Sequence, residues 1–154
     1  MTKDRGPMTR TDDHFYVLDA SAILRFTDKE AGFDRVRDLF IQAAQGNAEL
    51  LLSALNWGEI VGALLWRAGG LSPSALPNIG SLAANLAALP ITVVAADKDL
   101  AEAAAIFKYD SKVPFVDAFA GSLALHENAT LVTADYDFKN VPPGTIKIEF
   151  LPAK

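Results

Sequence analysis

The feature that most constrains the fold is a series of short apolar runs separated by segments with helical spacing. Residues 15–18 and 50–52 are apolar throughout rather than alternating, which is typical of strands that are buried on both faces. Residues 91–94, 130–133 and 146–150 follow as further strand candidates, and the last alternates like an edge strand. Strands that alternate with helices predict an α/β fold with a mostly parallel sheet covered on both faces.

The helices are predicted from apolar periodicity and from residues that favour helix ends. They run from Ser21 onward, over residues 31–45, from the N-cap candidate Ser53 to Ala68, from Ser72-Pro73 to Leu89, and over 97–109 and 115–126. Residues 1–14 lack periodicity and are expected to be a flexible tail. Residues 15–154 are expected to form a single domain, because no repeat or linker interrupts them.

Composition excludes several kinds of site. The 154-residue chain has no cysteine and two histidines, so a disulfide framework, a thiolate metal site and a histidine-rich zinc site are excluded. Its N-terminus has no apolar core, and its longest apolar stretch is broken by Pro90, so we expect a cytoplasmic protein without a membrane segment. A net charge of −5 argues against a nucleic-acid binder unless some of the acids bind metal.

Two carboxylates follow predicted strands directly. Asp19 comes after residues 16–18, and Asp135 comes shortly after residues 130–133. Because ligands of parallel α/β sheets bind beyond the carboxyl ends of the strands, both acids are candidates for one site. Taken singly, each can simply cap the element that follows it, which is a common role of aspartate.

Two further carboxylates lie in apolar helices. Glu59 follows Asn56-Trp57-Gly58, and Asp117 lies within residues 115–120. Alone, Glu59 can face solvent and Asp117 can interact with the helix dipole. Burying ionised carboxylates without partners costs several kcal/mol, and a hard divalent cation with oxygen ligands would satisfy all four acids together. Asp19, Glu59, Asp117 and Asp135 are therefore the predicted metal-binding and catalytic residues.

Other polar residues are weaker candidates. Ser21, Thr133 and Asp137 can orient ligands or water around the acids, and Asn56 lies near the helix face of Glu59. Arg25 and Lys112 can contact phosphate, although a solvated position is the simpler interpretation. Trp57 and Trp66 are expected to be core or interface residues.

These segments resemble PIN-domain proteins, and most of all the VapC-type toxins of toxin–antitoxin pairs. The matching stretches are 16–22 (YVLDASA), 57–60 (WGEI), 115–120 (FVDAFA) and 131–138 (LVTADYDF). The resemblance implies a three-layer α/β/α sandwich with four or five mostly parallel strands, Mg²⁺ or Mn²⁺ at Asp19, Glu59, Asp117 and Asp135, and endonucleolytic cleavage of RNA. It also implies a small antitoxin partner and a homodimer.

Alternatives stay open at this point. A phosphoryl-transfer or receiver-type α/β protein also uses an aspartate at a strand end. A dehalogenase-like phosphatase needs a second acid two residues on, but Asp19 is followed by Ala20-Ser21, and the acidic pair Asp12-Asp13 precedes the first strand instead of following it. A PIN-like module that binds without cleaving, and a PIN nuclease of RNA processing or decay, fit the same residues.

Overall fold

A computed structural model describes residues 14–67 and 84–154. The elements are β1 (Phe15–Leu18), α1 (Ala20–Thr27), α2 (Phe33–Ala44), β2 (Glu49–Ser53), α3 (Ala54–Arg67), β3 (Thr92–Val94), α4 (Lys98–Ser111), α5 (Phe115–Glu127), β4 (Thr130–Thr133), a 3₁₀ helix (Tyr136–Asn140) and β5 (Lys147–Phe150). The helix predicted from Ser72 to Leu89 lies mostly outside the described residues, of which 84–87 are helical.

The five strands form one sheet in the order β3-β2-β1-β4-β5, with every pairing parallel. This confirms the predicted parallel α/β architecture, and it places β5 at an edge, as its alternating sequence indicated. β1 lies at the centre, with β2 on one side and β4 on the other. The ends of β1 and β4 are therefore neighbours, and Leu18 is paired in register with Val132.

The apolar strands are explained by a core on each face of the sheet. Val17 and Leu131 point into one core with α4 and α5, while Leu18 and Val132 point into the other with α1, α2 and α3. Successive side chains of a strand alternate between faces, so a strand buried on both faces has no polar position. The result is the expected three-layer sandwich.

Helices α4 and α5 approach each other closely at Gly121. A Cβ atom at this position would lie 2.4 Å from the ring of Phe107, which is shorter than real contacts. Glycine is therefore required here by space rather than by backbone conformation. The contact fixes α5, the helix that carries Asp117, against α4.

One sequence-based interpretation is wrong in this fold. Arg25 is buried, and its guanidinium donates to the carbonyl oxygens of Ala31 and Pro152 at 2.7 and 2.8 Å, so it holds the C-terminus rather than a phosphate. Of the two tryptophans expected in the core or at an interface, Trp57 is partly buried against the core of α1, α2 and α3, and Trp66 is 87% exposed, which leaves the interface as the expectation for Trp66. Within residues 14–67 and 84–154 no helix has the length and apolar character needed to cross a membrane.

Candidate metal centre

Asp19 lies where β1 meets the N-terminus of α1. Its carboxylate accepts from the backbone N–H of Ala22 at 3.0 Å, so it caps α1, as its position predicted. The capping role does not account for the whole side chain. Asp19 is almost fully buried, and both of its carboxylate oxygens are hydrogen-bonded.

Two hydroxyl groups link Asp19 to the end of β4. Ser21 Oγ donates to Asp19 Oδ1 at 2.6 Å, and Thr133 Oγ1 donates to Asp19 Oδ2. The same hydroxyls accept from the backbone, Ser21 from Ala134 N–H at 2.8 Å and Thr133 from Asp135 N–H at 2.9 Å. Each hydroxyl thus joins the β1 carboxylate to the turn that carries Asp135, and this network fixes one strand end relative to the other.

Burial raises the pKa of Asp19 to about 6, from a usual value of 3.8. The hydrogen bonds from Ser21, Thr133 and Ala22 oppose this effect because they stabilise the ionised form, while the nearby charge of Asp135 adds to it. Burial is therefore the main reason why ionising this carboxyl group is unfavourable.

Asp117, Asp135 and Asp137 form the tightest acidic cluster in the described part of the chain. One carboxylate oxygen from each lies within 4.8 Å of the others. Asp117 comes from the first turn of α5, and Asp135 precedes the 3₁₀ helix and caps it by accepting from Asp137 N–H at 2.9 Å. The turn after β4 therefore brings two acids to the one on α5.

The pKa of Asp117 is raised to about 7, also from 3.8. Loss of hydration is the largest cause, followed by the hydrogen bond to Asp135 and by the charges of Asp135, Asp19 and Glu59. Like-charged carboxylates that share a site hold at least one proton when no cation is present. In this cluster, Asp117 is the group whose pKa the repulsion raises.

Glu59 faces the cluster from α3. It is exposed, yet its charge raises the pKa of Asp117, so the two carboxylates are close enough to interact. Asn56, one turn earlier and fully buried, donates from Nδ2 to Glu59 Oε1 at 2.7 Å. Asn56 Oδ1 is also buried and has no hydrogen-bond partner among the described residues.

The four predicted acids therefore gather at one edge of the sheet, but they are not equivalent. Asp117 and Asp135 lie together with Asp137, whereas Asp19 is buried and Glu59 is exposed on α3, and the charges of both act on Asp117. Sequence reasoning placed Asp137 and Asn56 only among the weaker candidates. The 3₁₀ turn after Asp135 is the local signal for Asp137, whereas the direction of Asn56 requires the tertiary structure.

The chemistry of this donor set suits a hard divalent cation. Mg²⁺ and Mn²⁺ prefer oxygen ligands, and clustered carboxylates, with the pKa of Asp117 raised among them, provide oxygens whose mutual repulsion a cation would relieve. Within residues 14–67 and 84–154, no Lys or Arg forms an ion pair with any of the five acids. The oxygens of these acids are therefore free of basic side-chain partners in this part of the chain and are of the type that would hold a divalent cation.

Solved structures share this architecture. VapBC2 from Rickettsia felis, bound to a promoter DNA fragment, aligns with a TM-score of 0.65 and 17% identity over 90% of this chain and 99% of that one. DNA-bound VapBC from Salmonella typhimurium gives 0.63 and 16% over 88% and 96%. VapC20 from Mycobacterium tuberculosis, described as a sarcin-ricin loop cleaving toxin, gives 0.59 and 17% over 86% and 98%. At these identities the likeness defines the fold class.

The sequence defines the family. A family model described as PIN domain matches residues 16–143, which is most of the chain. The protein therefore belongs to the PIN-domain family, as the motifs around the four acids indicated. No curated protein sequence matches the chain.

Proposed function

We propose that this protein is a metal-dependent endoribonuclease and the toxin of a VapBC-type toxin–antitoxin pair. The observation that carries the proposal is the cluster of Asp117, Asp135 and Asp137, in which loss of hydration and the neighbouring carboxylates raise the pKa of Asp117 to about 7. Family membership supports a nuclease. The described activity of VapC20 supports RNA as the substrate, and the VapBC assemblies support an antitoxin partner.

The residues of the centre have different proposed roles. Asp117 and Asp135, with Asp137, would hold Mg²⁺ or Mn²⁺, and Asp19 and Glu59 complete the negative field around the ion. When bound, such an ion neutralises phosphodiester charge and lowers the pKa of water. Ser21 and Thr133 keep Asp19 and the β4 turn in register. The hydroxyls therefore fix the positions of the acids before substrate arrives.

Glu59 is suited to accept the proton of the attacking water. It is exposed, and Asn56 holds one of its oxygens, Oε1, which leaves Oε2 available. In the proposed reaction a water oxygen bonds to phosphorus as the bond from phosphorus to the 3′ oxygen breaks. A proton passes to Glu59, and the departing 3′ oxygen is protonated from solvent. The products carry a 5′-phosphate and a 3′-hydroxyl.

The test is cleavage of end-labelled total RNA by the full chain with Mg²⁺ or Mn²⁺, followed by mapping of the product ends. Asp117→Asn should lower the cleavage rate by at least about 100-fold, since it removes a proposed ligand. Asp110→Asn removes an exposed carboxylate from α4 and serves as the matched control with unchanged activity. Asp19→Asn should also be inactive, but Asp19 is buried, so its folding must be checked by circular dichroism.

Cleavage that persists in EDTA, or full activity of both Asp117→Asn and Asp19→Asn, would contradict the proposal of a metal-dependent nuclease. The toxin role has its own test. Expression of the wild-type chain should arrest bacterial growth, Asp117→Asn should not, and co-expression of a small DNA-binding protein encoded directly upstream should relieve the arrest. Growth that continues despite active enzyme would instead favour a PIN nuclease of RNA processing or decay.

A further inference from the structure

The C-terminal half of α4 carries an exposed basic surface that the acidic centre does not use. Lys108, Tyr109 and Lys112, with Ala105, line an open depression of about 450 Å³, here called the α4 patch. Tyr109 is 82% exposed. An aromatic ring this exposed between two lysines lacks the packing that explains most surface tyrosines, so it requires another explanation.

Most other basic side chains in residues 14–67 and 84–154 are already engaged. Pairs with acids involve Arg35, Arg37, Arg67, Lys98 and Lys154. Arg25 is buried, and Lys139 lies over the ring of Tyr136 at 4.8 Å. In contrast, no acid of the described chain pairs with Lys108 or Lys112. On a protein of net charge −5, two such lysines beside one aromatic ring form a local site for an anion.

The acid nearest in sequence does not cancel this charge. Asp110 lies between the two lysines along the chain, but it lines a different cavity, between α4 and α5, together with Ser111 and His126. Helical spacing explains the separation, because residues 105, 108, 109 and 112 share one face of α4 and residues 106, 107 and 110 share another.

The α4 patch is tied to the metal centre by a short length of chain. Lys112 ends α4 in a left-handed conformation, and α5 begins three residues later with Asp117 in its first turn. Five residues span at most about 18 Å, so the Cα atoms of Lys112 and Asp117 are no farther apart than this. Phe115, 44% exposed, lies between them in the chain and offers a second ring.

We propose that single-stranded RNA crosses the α4 patch, with a base stacked on Tyr109 and phosphates on Lys108 and Lys112. The inference rests on the proposed ribonuclease function and names the surface that delivers its substrate. Aromatic rings with flanking cations are the usual means of binding single strands, because every base has a stacking face and every nucleotide a charge. The patch compensates locally for the acidic total charge.

The test is binding of a fluorescein-labelled, mixed-sequence single-stranded RNA, followed by anisotropy in the Asp117→Asn background to prevent cleavage. The double variant Lys108→Gln/Lys112→Gln should weaken binding at least about tenfold. It should also make the slope of log K against log salt concentration less negative by about 1.4, as expected for two lost phosphate contacts. Tyr109→Ala should weaken binding about five- to tenfold without changing that slope, and Tyr109→Phe should restore it.

Lys98→Gln is the matched control. It removes one lysine charge from the same helix, about 15 Å along the axis from Lys108 and about 21 Å from Lys112, and should leave binding unchanged. If the double variant binds RNA like Lys98→Gln, the inference is overturned, and the patch would suit an acidic protein segment instead. The two proposals can fail separately: RNA binding that depends on the patch without metal-dependent cleavage contradicts only the nuclease, and cleavage without dependence on the patch contradicts only this inference.

Discussion

The side-chain amide of Asn56 donates to Glu59 at 2.7 Å, while its own carbonyl oxygen is buried without a partner among the described residues. An unpaired buried carbonyl costs about 1–3 kcal/mol, so a leucine here would be expected to pack at least as favourably. The position is therefore explained better by the orientation of Glu59 than by stability.

We predict that Asn56→Leu separates stability from metal binding. Its free energy of unfolding in EDTA should equal or exceed that of the wild type, because the unpaired carbonyl is removed. Its affinity for Mn²⁺ should fall about tenfold, which is typical when a residue that orients a ligand is lost. Urea unfolding and titration calorimetry measure the two quantities. Ser111→Ala, at the other buried unpaired polar side chain, is the control and should leave Mn²⁺ affinity unchanged. Wild-type Mn²⁺ affinity in Asn56→Leu would refute the assignment.

Thr133→Val should destabilise the protein and raise the pKa of Asp19 above about 6. The substitution keeps the shape but removes both the bond to Asp19 and the acceptor for Asp135 N–H. Leaving these buried groups unpaired should cost about 1–3 kcal/mol in the free energy of unfolding. Thr133→Ser keeps the hydroxyl and should behave like the wild type. Carboxyl-detected NMR titration with urea unfolding is the measurement, and indistinguishable Val and Ser variants would contradict the role of this hydroxyl.

Metal-free protein should lose part of its stability as the pH rises from about 4 to about 7. The raised pKa values of Asp19 and Asp117, about 6 and about 7, mean that the folded state binds more protons than the unfolded state in this window. Stability therefore falls with increasing pH. Glu30, whose pKa is lowered mainly by Lys154, changes stability in the opposite direction. The contribution of the metal centre therefore has to be measured as a difference between the wild type and a variant of that centre.

The comparison is between wild type and Asp117→Asn, both followed by thermal unfolding in EDTA over this pH range. The variant should gain stability relative to the wild type as the pH rises, and millimolar Mg²⁺ or Mn²⁺ should reduce the difference. A constant difference across the range would show that Asp117 does not titrate as described.

Gly121→Ala should destabilise the fold by about 1–3 kcal/mol, because the new methyl group would overlap the ring of Phe107. Gly62→Ala is the matched control in another helix. Nothing lies within 4 Å of its added Cβ, and alanine favours helices, so it should stabilise the protein by about 0.5–1 kcal/mol. Urea unfolding compares the two, and equal effects would contradict the close helix contact.

The sheet and the positions of Asp19 and Asp135 were predictable, because the carboxyl ends of parallel strands meet at the same edge of a sheet. The runs at 15–18 and 130–133 are strands as predicted, and parallel pairing places Asp19 beside the end of β4. The interaction between Glu59 and Asp117 was less predictable, since helical periodicity does not give the rotation of α3 about its axis. Arg25 was misassigned because its partners are backbone carbonyls, and one of them, that of Pro152, is 127 positions away, which no local pattern reveals.

The pairing of β1 with β4 also determines when the centre can form. Asp19 and the hydroxyl of Thr133 that holds it are 114 positions apart in the chain. A nascent polypeptide that has not reached β4 has no Asp135, no Asp137 and no Thr133 hydroxyl to bind Asp19. Contacts between such distant segments form late, as the domain completes. For the proposed ribonuclease this order would be protective, because the ribosome that translates it would meet no active site until synthesis is nearly finished.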